Sequence, residues 1–210
     1  MTLFGLGMAE IKPAALTLNI LVASVTAWQF WRAGHFSWQL FTPFAVLAIP
    51  MAFLGGYLNL PIAALKILVG AVLLASALRF IYDPREVENP KRPRTIVAVF
   101  CGGCIGLLSG FTGTGGGIFL SPLMLLAKWA QTKAAAAVSA VFILLNSIAG
   151  LAGNFAATKY LPQAVWFFLA AALLGGTLGS YLGSRRFSAG WIKKLLAIVL
   201  ATAGLKILFQ

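Results

Sequence analysis

Five glycines at positions 110, 113, 115, 116 and 117, interleaved with Thr112 and Thr114 and led in by Ser109, are the residues of this chain whose types and spacing could do chemistry. Glycine lets successive backbone N–H groups turn toward a common point, and such nests, like helix N-termini, favour anions. The three hydroxyls would add donors. The plain alternative is that the glycines only permit tight packing of a bent segment. A phosphate loop of a nucleotide-binding enzyme does not fit, because no βαβ unit surrounds the element.

No charged residue lies between Ile96 and Ala127. A glycine cluster inside such an apolar run does not make an ordinary spanning helix, since each glycine weakens it. Irregular backbone inside a bilayer persists only where protein buries it or where it lines a wet cavity. Further polar residues recur at helical spacing. Asn19 and Thr26 are seven apart, as are Ala140 and Ser147, so each pair shares a helix face. Ser139 and Asn146 form a neighbouring stripe. These could bond a substrate or simply bond other helices. The expected substrate-binding set is therefore Ser109, Thr112, Gly113, Thr114, Gly115, Gly116 and Gly117, with Ser139, Asn146, Ser147, Asn19 and Thr26.

Other candidates carry less. Cys101-Gly-Gly-Cys104 has the C-x-x-C form of redox proteins and supplies a second functional reading, a membrane thiol–disulfide electron relay. Small-residue packing explains it more simply. Lys12 and Lys133 stand at helix starts, where a lysine either attracts anions or snorkels to the membrane surface. Gly175, Gly179 and Gly183, and in part Gly55 and Gly56, have the spacing of helix-packing glycines. The only carboxylates, Glu10, Asp83, Glu86 and Glu88, fall outside every apolar run, and His35 falls near a loop. A proton relay or a carboxylate-based sodium site is not expected. No nucleophile–base pair or metal-ligand cluster is visible, so neither an enzyme nor a cofactor is expected.

These residues must be positioned by membrane helices. The chain has 210 residues, 60% of them hydrophobic and 10% charged, with mean hydropathy +0.94, the profile of a polytopic membrane protein. The net charge of +12 would suggest nucleic acid in a soluble protein. Here the basic residues sit in short connections, so they speak of topology. The N-terminus has no signal-peptide pattern. Two cysteines inside one apolar segment do not make a disulfide framework. Spanning-length runs cover 13–31, 38–58, 61–82, 134–153, 163–183 and 192–209, while a seventh, 95–127, is too long for one ordinary helix. The charged, proline-containing stretch 83–94 reads as an extramembrane linker, dividing a first transmembrane repeat (1–82) from a second (95–210).

The two sides of that linker resemble each other. Lys12-Pro-Ala-Ala aligns with Lys133-Ala-Ala-Ala 121 residues on, and Phe53-Leu-Gly-Gly-Tyr-Leu with Thr177-Leu-Gly-Ser-Tyr-Leu 124 residues on. Ala77-Leu-Arg-Phe-Ile aligns with Gly204-Leu-Lys-Ile-Leu at 127. At the first of these shifts Met1 falls opposite Pro122, so a first copy of the glycine-rich element is expected upstream of Met1.

Charge decides how 95–127 crosses. If it returns to its own side as a re-entrant hairpin, the 16 basic residues divide 12 to 4 between the two faces; if it crosses once, they divide 8 to 8. The positive-inside rule favours the hairpin, with the basic face in the cytoplasm. Uncharged Asn59-Leu-Pro then lies outside and its basic counterpart from Ser184 to Lys194 inside. Each repeat has three spans plus a hairpin, and the copies are inverted. The expected fold is an all-α polytopic membrane protein of inverted repeats, with the hairpin present only in the second. Inverted repeats with interrupted helices are characteristic of secondary transporters.

Here the sequence resembles the TauE/SafE family of sulfite and organosulfur-anion exporters. The resemblance rests on Ser109-Gly-Phe-Thr-Gly-Thr-Gly-Gly-Gly-Ile-Phe-Leu-Ser-Pro, on Lys133-Ala-Ala-Ala-Ala-Val-Ser, on Asn146-Ser-Ile-Ala-Gly and on Leu178-Gly-Ser-Tyr-Leu-Gly, and it covers essentially the whole chain. It implies an inner-membrane carrier built from two related halves, from which this chain departs by lacking the first glycine-rich element. The expectation is a secondary transporter that exports a small anion, such as sulfite or an organosulfonate, by alternating access. The alternatives are the thiol relay and an inactive fragment or accessory subunit. The expected partners are the anion and the lipid bilayer, with no nucleic acid; a homo-oligomer stays open.

Overall fold

The structure, a computed structural model, describes residues 8–58, 63–82, 86, 88–158 and 165–209. Every apolar run becomes a helix and the long run becomes two: α1 (Met8–Arg32), α2 (Trp38–Tyr57), α3 (Ala63–Tyr82), α4 (Thr95–Thr112), α5 (Gly117–Leu126), α6 (Thr132–Thr158), α7 (Val165–Tyr181) and α8 (Ala189–Phe209). A π turn, Leu182–Arg186, continues α7. The stretches Lys12–Arg32, Trp38–Tyr57, Thr95–Thr112 and Thr132–Ala156 are long and apolar enough to cross a membrane. Asn59, Arg85 and Lys159, which entered the assignment of sides, and Asp83 of the linker lie outside the described residues.

The segment 95–127 folds with unequal arms. The 18 residues of α4 run about 27 Å and the ten of α5 about 15 Å. Just outside them the N–H of Lys91 donates to the carbonyl of Lys128 at 3.0 Å. One turn of chain away, the N–H of Thr132 donates to the Glu86 carboxylate at 2.7 Å. The two ends of the segment thus lie side by side, as a re-entrant hairpin requires. Its arms diverge inside: α4 lies along α2, whereas α5 leans on α6 and touches α3 more lightly.

The α2–α4 seam explains why α4 is rich in glycine. A methyl group added at Gly102, Gly106 or Gly110 would run into the carbonyls of Phe44, Ala48 and Ala52 in turn. The backbones therefore touch along two turns of helix, the close approach that small residues allow where lipid supplies no hydrophobic drive. Gly56 and Gly153 of α2 and α6 meet carbonyls of Gly150 and Phe53 in the same way. Sequence spacing pointed in part to Gly55 and Gly56, which do pack, Gly55 against the Leu107 carbonyl of α4; it also pointed to Gly175, Gly179 and Gly183. A Cβ at Gly175 or Gly179 would meet nothing within 4 Å, and Gly183 has only the Phe30 ring at 3.6 Å. It is Gly176 that approaches α1, through Val22.

Phe44, Leu73, Leu120, Met124, Val138, Phe142 and Leu200 close the core, while Val46, Phe100, Leu174 and Ile198 face outward. At the basic end, Arg32 lies over Trp28, Arg185 over Tyr181 and Lys194 over Trp191. Amphipathic aromatics paired with cations suit the headgroup level of a membrane.

Candidate functional site: a broken helix against α1 and α6

Helix α4 stops because Gly113 turns left-handed (φ 72°), its N–H still reaching the Ser109 carbonyl at 2.8 Å. Gly115 (φ 72°) and Gly116 (φ 80°) repeat the turn. Residues with a side chain enter that region at a cost of about 1–2 kcal/mol each. Space forbids them as well, because a Cβ at Gly115 would sit 2.7 Å from Ile143 Cγ2 and 2.9 Å from Ser147 Oγ.

Helix α5 then begins at Gly117 with no side-chain cap. The N–H groups of Phe119 and Leu120 both return to the Gly116 carbonyl, but those of Thr114 through Ile118 donate to no backbone carbonyl among the described residues. Gly113, Gly115, Gly116 and Gly117 are all buried. The positive end of α5 is thereby held inside the protein with its donors uncommitted, which is the arrangement that attracts an anion.

Three side chains at this break are also uncommitted. Ser109, Asn146 and Ser147 are at most 1% exposed, and Ser109 Oγ, both amide atoms of Asn146 and Ser147 Oγ have no hydrogen-bond partner. Their placement follows from the neighbouring contacts. A Cβ at Gly116 would meet Ser109 Cβ at 3.2 Å and the Phe142 ring at 3.0 Å, while a Cβ at Gly150 would lie 3.7 Å from Gly110 Cα. Asn146 is one turn from both Phe142 and Gly150, so it faces the last turn of α4. A buried polar group left unpaired costs about 1–3 kcal/mol, so a polar occupant of the break would offset a standing cost.

Beside the break, α1, α5 and α6 border a half-open cavity of about 230 Å³ lined by Asn19, Ala23, Thr26, Ser121, Ser139 and Ile143, among others. With about 30 Å³ per water molecule, it is large enough for a small oxyanion that keeps part of its hydration. Asn19 joins it to the break by donating Nδ2 to the Gly113 carbonyl at 3.2 Å. Ser121 donates to Ser139 at 2.7 Å, and Thr26 bonds back to the Val22 carbonyl of its own helix. Ser121 was not singled out in the sequence, although it lies one helical turn beyond Gly117, where continuing the helical period would have found it.

The remaining candidates fall differently. The Thr112 hydroxyl reaches the Leu108 carbonyl at 2.8 Å and the Thr114 hydroxyl at 2.9 Å, so the two threonines hold each other and the end of α4. Lys12 Nζ donates to the Gly55 and Gly56 carbonyls at 3.1 and 3.0 Å, capping α2. Lys133 Nζ donates to the Ser184 carbonyl at 3.3 Å, which His35 Nε2 also contacts at 3.1 Å. Cys101 and Cys104 are both free, the first half-buried and the second exposed, two turns or more before the break. Among the described residues no cluster of His, Cys, Asp and Glu could hold a metal ion.

A multi-pass helical protein that encloses a broken helix with uncommitted polar groups has the build of a membrane transporter. Comparison with known proteins agrees: residues 1–207 match the family described as Sulfite exporter TauE/SafE, and the chain belongs to that family. It is 37% identical over 214 residues to a probable membrane transporter protein of Sinorhizobium fredii, covering 100% of this chain and 87% of that protein. It is also 28% identical over 125 residues to a probable membrane transporter protein of Methanocaldococcus jannaschii, covering 57% of this chain and 46% of that one. No solved structure matches.

Proposed function

We propose that the protein exports a small anion, sulfite or an organosulfonate, by alternating access, and that the anion binds at the break between α4 and α5. The observation that carries this reading is that the N–H groups of Thr114–Ile118, which donate to no backbone carbonyl among the described residues, belong to a turn packed against the unpartnered Ser109 and Ser147, with unpartnered Asn146 next in sequence to Ser147. Backbone and hydroxyl donors of that kind suit a weakly basic oxyanion that must also be released. An inside-negative membrane potential would help expel it by about 2.3 kcal/mol per charge per 100 mV.

Inverted repeats, 1–82 and 95–210 about the linker 83–94, supply the moving halves in this reading. The contacts of the matched helices support it. In α1 and α6 the residue numbers run in opposite directions past one another, Leu16 against Gly150 and Thr26 across the cavity from Ser139. The matched lysines also act alike, each reaching carbonyls at the C-terminal end of the second helix of its half.

The test is flux of radiolabelled sulfite and sulfoacetate in inside-out vesicles, with chloride and acetate as competitors. Saturable uptake of a sulfur oxyanion that vanishes in Gly115→Leu, while the variant still reaches the membrane, is the expected result. Flux of wild-type size from that variant would remove the break as the site.

A further inference from the structure

We infer that Lys12 and Lys133 are positioning residues of the transport cycle, a matched pair of gates at opposite ends of the chamber; the inference rests on reading the break as the transport site. Lys12 lies two turns before Asn19 on α1, and Lys133 one turn before Ala136 on α6; both Asn19 and Ala136 line the cavity. The chamber is thus bracketed along its length by two lysines that hydrogen bonds to main-chain carbonyls tie to a neighbouring helix.

What each lysine holds is the end of a helix. Carbonyls in the last turn of a helix lack intrahelical partners and carry its negative pole, so an ammonium there is bound by charge as well as by hydrogen bonds. Lys12 bridges α1 to α2 through Gly55 and Gly56, beside the tip of α4, where a Cβ at Gly113 would meet the Lys12 backbone at 3.2 Å. Lys133 bridges α6 to the π turn after α7, where the Ser184 carbonyl is free to accept because that turn is out of α-helical register. His35 of the α1–α2 connection meets the same carbonyl, and Glu86 and Gln131 line the cavity beside it. Each bond ties one wall of the chamber, α1 or α6, to the end of a neighbouring helix, so that wall is held in place at that end while the bond stands. Neither needs a carboxylate partner, so each can break and re-form without stranding a counter-charge in the membrane.

The experiment places one reporter cysteine, Ala23→Cys, in the chamber of a Cys101→Ala/Cys104→Ala protein and measures its labelling by a membrane-impermeant maleimide. Intact cells and inside-out vesicles expose the two ends separately. Lys12→Met should raise labelling from the Lys12 end about tenfold, the population shift that loss of a charge-assisted hydrogen bond allows. Lys133→Met should do so from the Lys133 end, and Lys→Arg at either position should stay near wild type. Lys12→Gln, uncharged but still a donor, should give an intermediate rise and keeps the result readable if the methionine variant fails to accumulate. Unchanged sidedness, or a rise at the same end from both variants, would overturn the gates. Protection of the wild-type-background cysteine by sulfoacetate is read in parallel. Its absence counts against the anion site, whereas sidedness counts for or against the lysines.

Discussion

Glycine does opposite work in two neighbouring regions of this protein. Along the α2–α4 seam, Gly102, Gly106 and Gly110 stay helical and give up their side chains so that two backbones can touch. At the break a few residues later, Gly113, Gly115 and Gly116 leave the helix and free donors that no backbone carbonyl among the described residues takes up. The seam is complete without a ligand; the break is not. A residue type that reads the same in both places therefore marks close packing in one and uncommitted donors in the other, and the local hydrogen-bond account tells them apart.

Substitutions can break that contrast or sharpen it. The largest effect is expected from Gly106→Leu, which drives a side chain into the Ala48 carbonyl. Overpacking costs about 1–3 kcal/mol where side chains can move, and more against backbone, so the protein should not survive detergent extraction as a monodisperse species in size-exclusion chromatography. Next is Gly115→Ala, which meets a left-handed φ and Ile143 together. It should lower thermal stability by about 1–2 kcal/mol yet remain folded, while flux disappears.

Asn146→Leu separates the regions most cleanly. Replacing an unpartnered buried amide with a side chain of similar size should leave the melting temperature equal or higher, because an unpaired group is relieved, while transport falls about 100-fold. A melting temperature lowered as much as Gly106→Leu lowers it would assign Asn146 to packing instead. Smaller still is Thr112→Val, whose hydroxyl is already engaged with Leu108 and Thr114; flux should fall no more than about tenfold. Cys101→Ala/Cys104→Ala should change neither flux nor stability measurably, and loss of transport there would revive the thiol reading.

Much of the fold was legible because spanning segments announce themselves by length and hydropathy, and because 33 residues from 95 to 127 are too many for one crossing. The seam was legible only in part: Gly55, Gly56 and the small residues around Cys101 and Cys104 read as packing positions, but not which helices they join. Gly106 and Gly110 continue the every-fourth spacing of Gly102, but beside so conspicuous a cluster they read as part of one soft stretch, whereas a Cβ at Gly175 or Gly179, with the same spacing, meets nothing within 4 Å among the described residues. At the site, residue type could nominate Ser109, Asn146 and Ser147 but could not distinguish them from Thr112 and Thr114. A hydroxyl near a helix end can bond its own backbone, and only the rotamer reveals whether it does. Nor could the lysines be read. Snorkelling would have sent the Lys12 ammonium to the surface, but the carbonyls of α2 lie within reach inside.

The bond between Lys91 and Lys128 bears on how the chain is made. Since the broken segment starts and finishes at one surface, the ribosome and its insertion channel need not export any soluble stretch on its account. In the orientation expected from the basic residues, the two arms slide in from the side of synthesis once α2 offers its groove. Biogenesis of this region is then a matter of lateral docking, and a variant that spoils the groove should leave the loop stranded where a protease on the synthesis side can cut it.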